Sequence, residues 1–267
     1  MKSKAKFTSL DEYSRTARLK PAFLVILPIG TLVSVLGLKV SALLALFSGP
    51  LATVGLTFLL TQIGRDFGKR KEAYLYSLWS GKPSVTKMRH RDGTLNVHTR
   101  QRYHQKAALL LEISMPTATS EQEDPLSADE AYEAYSNLLL EKTRDKKKFP
   151  LIFNELVNYG FRRNLWGLKP MGLTVASICL ISQSAWILHL LVVHHPPPTL
   201  LVSSLFIDCF LLLCWIFLIN PEWVRIAANA YAERLLASSE VLQRTSITSL
   251  PEETPQPRRR PKKSSAT

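Results

Sequence analysis

Charge is missing from two long stretches of this chain. Residues 21–63 contain Lys39 as their one charged side chain, and residues 170–220 contain Asp208 alone. Globular cores rarely hold uncharged apolar runs of that length, so the lack argues against an ordinary soluble fold. Cysteine is scarce as well. Cys179, Cys209 and Cys214 all fall in the second stretch with no CxxC spacing, which excludes a disulfide framework and reads as small apolar packing. The first apolar stretch follows basic residues 1–20 and is too long and too well continued for the h-region of a signal peptide, so no cleaved leader is expected.

Each stretch runs to about twice the ~20 residues a helix needs to cross a bilayer. Each is also broken near its middle, by Gly37-Leu38-Lys39 and by His194-His195-Pro196-Pro197-Pro198. Two helical hairpins, hence four crossings, are expected. The chain reads as an all-α integral membrane protein: a basic N-terminal segment (1–20), a first hairpin (21–63, spans 21–38 and 41–63), a cytoplasmic helical domain (64–169), a second hairpin (170–220, spans 171–193 and 200–219), an amphipathic juxtamembrane helix (221–244) and a disordered basic tail (245–267).

The net charge of +13 divides with this layout: +4 over 1–20, +6 over 64–169 and +3 over 221–267, while Lys39 and Asp208 cancel. All three basic segments lie an even number of crossings apart. Lys/Arg excess marks the cytoplasmic side, so both termini and the central segment are expected there. The charge is thereby assigned to topology and to anionic lipid headgroups, not to nucleic acid.

In the first hairpin Pro28 marks a possible kink. Gly49, Thr53, Thr57 and Thr61 recur every four residues, a row that lets helix backbones approach closely or, on a second reading, lines a pore. In the second hairpin Asp208 is the one acid. Counted at 1.5 Å per residue, it lies about 14 Å in from the outer end of its helix, and Gln183 lies about 18 Å in from the inner end of the preceding one. Those depths nearly coincide, which predicts a Gln183–Asp208 hydrogen bond at mid-membrane. Asp208 is then either glue between helices or subunits, or an ion-pathway residue. His189, His194 and His195 near the outer turn have no Asp, Glu or Cys beside them, so no metal is expected.

The cytoplasmic segment reads as about four helices: one leaving the membrane over 65–79, one capped by Asn96 and reaching 113, one opened by a capping box at Ser127 and ending near 143, and one over 151–165 opened by Pro150. Residues 114–126 read as a loop. His90-Arg91-Asp92 has the catalytic-loop tripeptide of kinases, but no glycine-rich loop precedes it and no DFG follows. Ser80-Gly81-Lys82-Pro83 lacks the first glycine of a phosphate loop. The polar cluster Lys87, Arg89, His90, Arg91, Asp92, Arg100, Arg102 and His104 is a candidate for a phosphate-bearing ligand, for headgroups or for a solvated face. Arg162, Arg163 and Lys169 are expected at the headgroups, with Tyr159 and Trp166 in the interfacial aromatic belt.

The run 159–170, YGFRRNLWGLKP, together with Trp79-Ser80-Gly81-Lys82-Pro83 and Arg89-His90-Arg91-Asp92, resembles an uncharacterised group of bacterial four-helix inner-membrane proteins over about residues 70–170. The resemblance implies a bacterial inner membrane and no particular activity.

Three classes of function follow. The first is a membrane-embedded adaptor, sensor or effector, anchored or oligomerised through its spans, whose cytoplasmic domain receives a ligand or a protein partner. The second is a channel or transporter using Asp208. The third is a membrane enzyme using His90, Asp92 and the arginines. No cofactor is implied. The first class is favoured, because much of the chain outside the spans lies in one ordered-looking cytoplasmic segment, and the short outer turns place any signal on the inner side.

Overall fold

The computed structural model of the chain describes residues 13–35 and 50–242, with the backbone alone at 33 and 50–61. The described residues are helical, with no strand among them. A widened turn, Ser14–Leu19, leads into α1 (Lys20–Val35), which carries Pro28 internally. Then come α2 (Pro50–Leu78), α3 (Pro83–Thr86), α4 (Val97–Leu111), α5 (Ala118–Glu123) and α6 (Pro125–Lys142). They are followed by α7 (Pro150–Gly167), α8 (Lys169–Val192), α9 (Thr199–Leu213, continued by the π-turn Cys214–Leu218) and α10 (Pro221–Ala237).

Among the described residues two helices are long and apolar enough to cross a membrane: Lys169–Val192, and Thr199–Leu218 when α9 is taken with its π-turn. They pack on each other and on α1. Neither is a core helix, since only 17% and 22% of their apolar windows are buried. Residues 36–49, with the turn at Gly37-Leu38-Lys39 and with Gly49, and the side chains of Thr53, Thr57 and Thr61 lie outside the described residues.

On the polar side the apolar helices run on into a helical stem. α2 continues unbroken from the apolar segment to Leu78. Helix α7 packs along it and along α10, and the Ser14–Leu19 turn fits against both α2 and α7. Stem and apolar helices share one core, which joins Leu75 and Trp79 to Tyr159, Leu165, Trp215 and Val224. A second core, built on Tyr132, Tyr135, Leu139, Met88 and Leu235, holds α3, α4 and α6 as a cap on the stem.

Local signals account for most helix ends. Asn96 accepts from the His98 N–H and starts α4, and Pro150 sits at the N-terminus of α7, where its missing N–H costs nothing. Two expectations are corrected. Asp124, not Ser127, caps α6: its carboxylate accepts from the Ser127 N–H at 3.1 Å, and Pro125 starts the helix. The stretch read as a loop contains α5, opened by a reciprocal Thr117–Ser120 capping box. The juxtamembrane helix ends at Ala237 and buries Val224, Ala227, Ala228, Leu235 and Leu236 against the stem and cap.

Candidate functional site

Three polar centres stand inside this scaffold. The first lies among the apolar helices. Gln183 Nε2 donates to Asp208 Oδ2 at 2.6 Å, the pairing that depth counting predicts. The structure adds two partners. Thr31 of α1 is within 3.0 Å of both Asp208 oxygens, with its Oγ1 as donor. Ser204 Oγ donates to Gln183 Oε1 at 3.3 Å. Asp208 and Gln183 are both 0% exposed. One carboxylate thus ties α1, α8 and α9 together, and every donor that reaches it is neutral.

The second centre is in the stem, where the YGFRRN run meets α2 and α10. Arg163 Nη1 donates to Glu72 Oε1 at 2.7 Å. The same oxygen accepts from Tyr159 at 2.9 Å and Tyr76 at 3.2 Å. Burial alone lifts the Glu72 pKa, but the Arg163 charge and these three hydrogen bonds outweigh it and hold the carboxyl below its ordinary range. Burial and the adjacent Glu72 charge push the Tyr76 phenol up to about 12. Tyr159, deeper still, is raised further.

Every side chain of the run has a structural partner. Gly160 lets Tyr13 and Ala17 approach α7, and Phe161 meets Trp223 edge-on. Arg162 donates to the Trp223 carbonyl at 2.9 Å and lies 4.8 Å from its ring. Asn164 donates to the Ala17 carbonyl at 2.6 Å. Arg163 and Tyr159 therefore turn inward and not toward headgroups, because Glu72 offers a buried countercharge. Lys169 is likewise engaged: its ammonium donates to the Ile216 and Ile219 carbonyls at 3.0 and 2.7 Å, closing the C-terminal end of the π-turn.

The third centre is the basic cluster, and its cations are used by the protein itself. Arg89 holds Asp129 bidentately at 2.7 and 2.6 Å and donates to the Ser80 carbonyl. Arg100 donates to the Asp92 carbonyl at 2.6 Å. Arg102 is 3.3 Å from Glu240, and Lys87 is 2.9 Å from Glu233. Glu121 is the hub: 2% exposed, it accepts from the His90 N–H at 2.7 Å, the Tyr132 hydroxyl at 2.8 Å and the Arg91 N–H at 3.4 Å. Its pKa, raised by burial, is brought net below the ordinary value by those donors.

His90 and Asp92 do not pair. His90 Nε2 lies 3.0 Å from the Pro116 carbonyl, and Asp92 accepts from the Thr94 N–H in a tight turn. Arg91, half exposed, faces Glu121 and Asp129. The cluster thus folds the 80–100 segment around Glu121, which offers little for a phosphate ligand beyond Arg91 and Arg102.

Comparison with known protein families, curated proteins and solved structures returns no match.

Proposed function

We propose that this chain is a four-span inner-membrane protein with both termini and the stem-and-cap unit in the cytoplasm, acting as an adaptor, sensor or effector. The carrying observation is the inverted polarity of the apolar helices. Their most polar mid-helix side chains, Asp208 and Gln183, are fully buried, while Ile181, Phe206, Phe210 and Phe217 are 65–72% exposed, and the exposed hydroxyls of Ser182 and Ser184 are satisfied on the Ile178 and Leu180 carbonyls of their own helix. Water penalises that arrangement, and hydrocarbon favours it. The even-crossing spread of basic charge supports cytoplasmic termini.

The adaptor reading rests on continuity. α2 carries the first hairpin into the stem, and α7 and α10 join the stem to the second hairpin through one or two residues at each junction. A change in the packing of the spans therefore reaches the cap through rigid elements, and the reverse also holds. A protein partner on the cap, or self-association through the spans, would use that linkage. Coupling is tested by hydrogen exchange on the full chain in nanodiscs. Asp208→Asn is expected to alter protection in 159–167 and 72–79, far from the substitution, and unchanged protection there sinks the reading.

A channel reading draws on one observation, the Thr31–Asp208–Gln183–Ser204 string of hydrogen bonds. It requires that expression of the chain dissipate membrane potential and that Asp208→Ala abolish the effect.

A further inference from the structure

With Arg89, Arg100, Arg162, Arg163 and Lys169 all engaged internally, the cations available to a lipid lie elsewhere. Helix α2 carries Arg65, Lys69, Arg70 and Lys71 within two turns just beyond its apolar part. Arg65, Lys69 and Arg70 are exposed, and none of the four has a carboxylate within ion-pairing distance among the described residues. Asp66, on the same turns, is the one exposed acid there.

Lys71 is held in place. Its ammonium lies 5.0 Å over the ring of Trp166, a residue only 8% exposed, and Tyr74, 54% exposed, stacks on the outer side of the site at 5.9 Å from that ring with the planes 5° apart. The platform exists because Gly167 and Gly68 let α7 and α2 touch backbone to backbone. Neither the Trp166 N–H nor the Tyr74 hydroxyl has a hydrogen-bond partner among the described residues. Trp166 precedes the start of α8 by about 5 Å of helix rise, the depth of the headgroups. Helical side chains lean toward their own N-terminus, so cations on a helix leaving the membrane lean back toward it.

We infer that the Lys71–Trp166–Tyr74 platform, with Arg70 and the neighbouring Arg65 and Lys69, is a binding site for the headgroup of an anionic phospholipid. The ammonium supplies charge, the indole N–H and phenol supply hydrogen bonds to phosphate oxygens, and the exposed Phe67 ring lies one turn closer to the acyl chains. The inference rests on the membrane reading above, and its orientation depends on α2 leaving the bilayer into the cytoplasm.

The test is lipid-dependent thermal stabilisation of the full chain in detergent, with phosphatidylglycerol or phosphatidylcholine added and inorganic phosphate as a soluble arm. Phosphatidylglycerol is expected to stabilise at lower concentration than phosphatidylcholine. Lys71→Gln is expected to weaken that preference about five-fold, and loss of Arg70 as well to weaken it further. Trp166→Phe, which keeps the ring but removes the N–H, gives an intermediate loss. Arg144→Gln and Lys147→Gln, exposed at the far end of the cap, leave the preference unchanged. Equal stabilisation by both lipids, equal effects of the near and far substitutions, or equal stabilisation by inorganic phosphate overturns the inference. Failure of the membrane reading is seen separately, as extraction of the chain from membranes by alkaline carbonate.

Discussion

Arg163 and Glu72, 91 residues apart, meet at 2.7 Å inside the stem, with side chains only 9% and 20% exposed. The pair fixes α7 to α2 near the junction of the stem with the apolar helices. Removing one partner leaves a charge buried without its counterpart. Arg163→Ala is therefore expected to cost about 3–5 kcal/mol, whereas Glu72→Gln combined with Arg163→Met costs less than the sum of the two single changes. Thermal unfolding of the four variants in detergent measures this; strict additivity would mean that the pair is not a unit.

Asp208 holds three helices through neutral donors. Asp208→Leu strands the Gln183 amide in an apolar bundle, with an expected loss of about 0.6–2 kcal/mol per hydrogen bond. Adding Gln183→Leu should restore part of the stability if Asp208 is glue. Measured resistance to unfolding in mixed micelles separates the roles, since a conducting acid would lose function in the double variant however stable the chain.

Gly167 admits no side chain. A Cβ there would lie 2.7 Å from the Gly68 nitrogen and 2.8 Å from the Phe67 carbonyl carbon, both backbone atoms that cannot rotate away. Gly167→Ala is expected to destabilise by at least the ~1–3 kcal/mol of an overpacked core. Gly30 is the control, because a methyl added there would meet nothing within 4 Å. Gly30→Ala should be neutral or mildly stabilising.

Stability should fall with acidity in two stages. His104 is held below its ordinary 6.5 by burial, and nearby His90 and Arg100 push the same way. The unfolded chain then binds the proton first, so stability drains as pH falls below 6.5 toward the folded value. Glu72 and Glu121 are both depressed below 4.5. Their contribution is complete above 4.5 and is lost as pH falls through their folded values. Thermal midpoints from pH 7.5 to 3.5 check both stages, and His104→Gln should remove the upper one.

Most of the longer helices and the Gln183–Asp208 pairing were legible from the residues, because Asn96, Pro150 and the positions of Gln183 and Asp208 along their helices are local facts. Thr31 was not legible: threonine is ordinary in a span, and nothing in a sequence sets the rotation of α1 against α8 and α9. Nor was the Arg163–Glu72 pair, although one signal was present, an acid directly after the basic run Lys69-Arg70-Lys71. The cap of α6 was misplaced because two capping signals stand three residues apart, and Asp124 with proline at the next position prevails over Ser127. The basic cluster read as a candidate for a phosphate ligand, headgroups or a solvated face because its carboxylate partners, Glu121 and Asp129, lie 30 to 40 residues away along the chain.

The proposed topology puts Asp208 inside a bilayer and the cap in the cytoplasm. Cysteine labelling from one side of the membrane tests it most directly, in a chain whose Cys179, Cys209 and Cys214 are replaced by serine or alanine. A cysteine at His195 should react with an impermeant maleimide added outside intact cells. Cysteines at Arg144 and at Ser3 should react only after permeabilisation. Labelling of His195→Cys and Arg144→Cys from the same side would contradict the account.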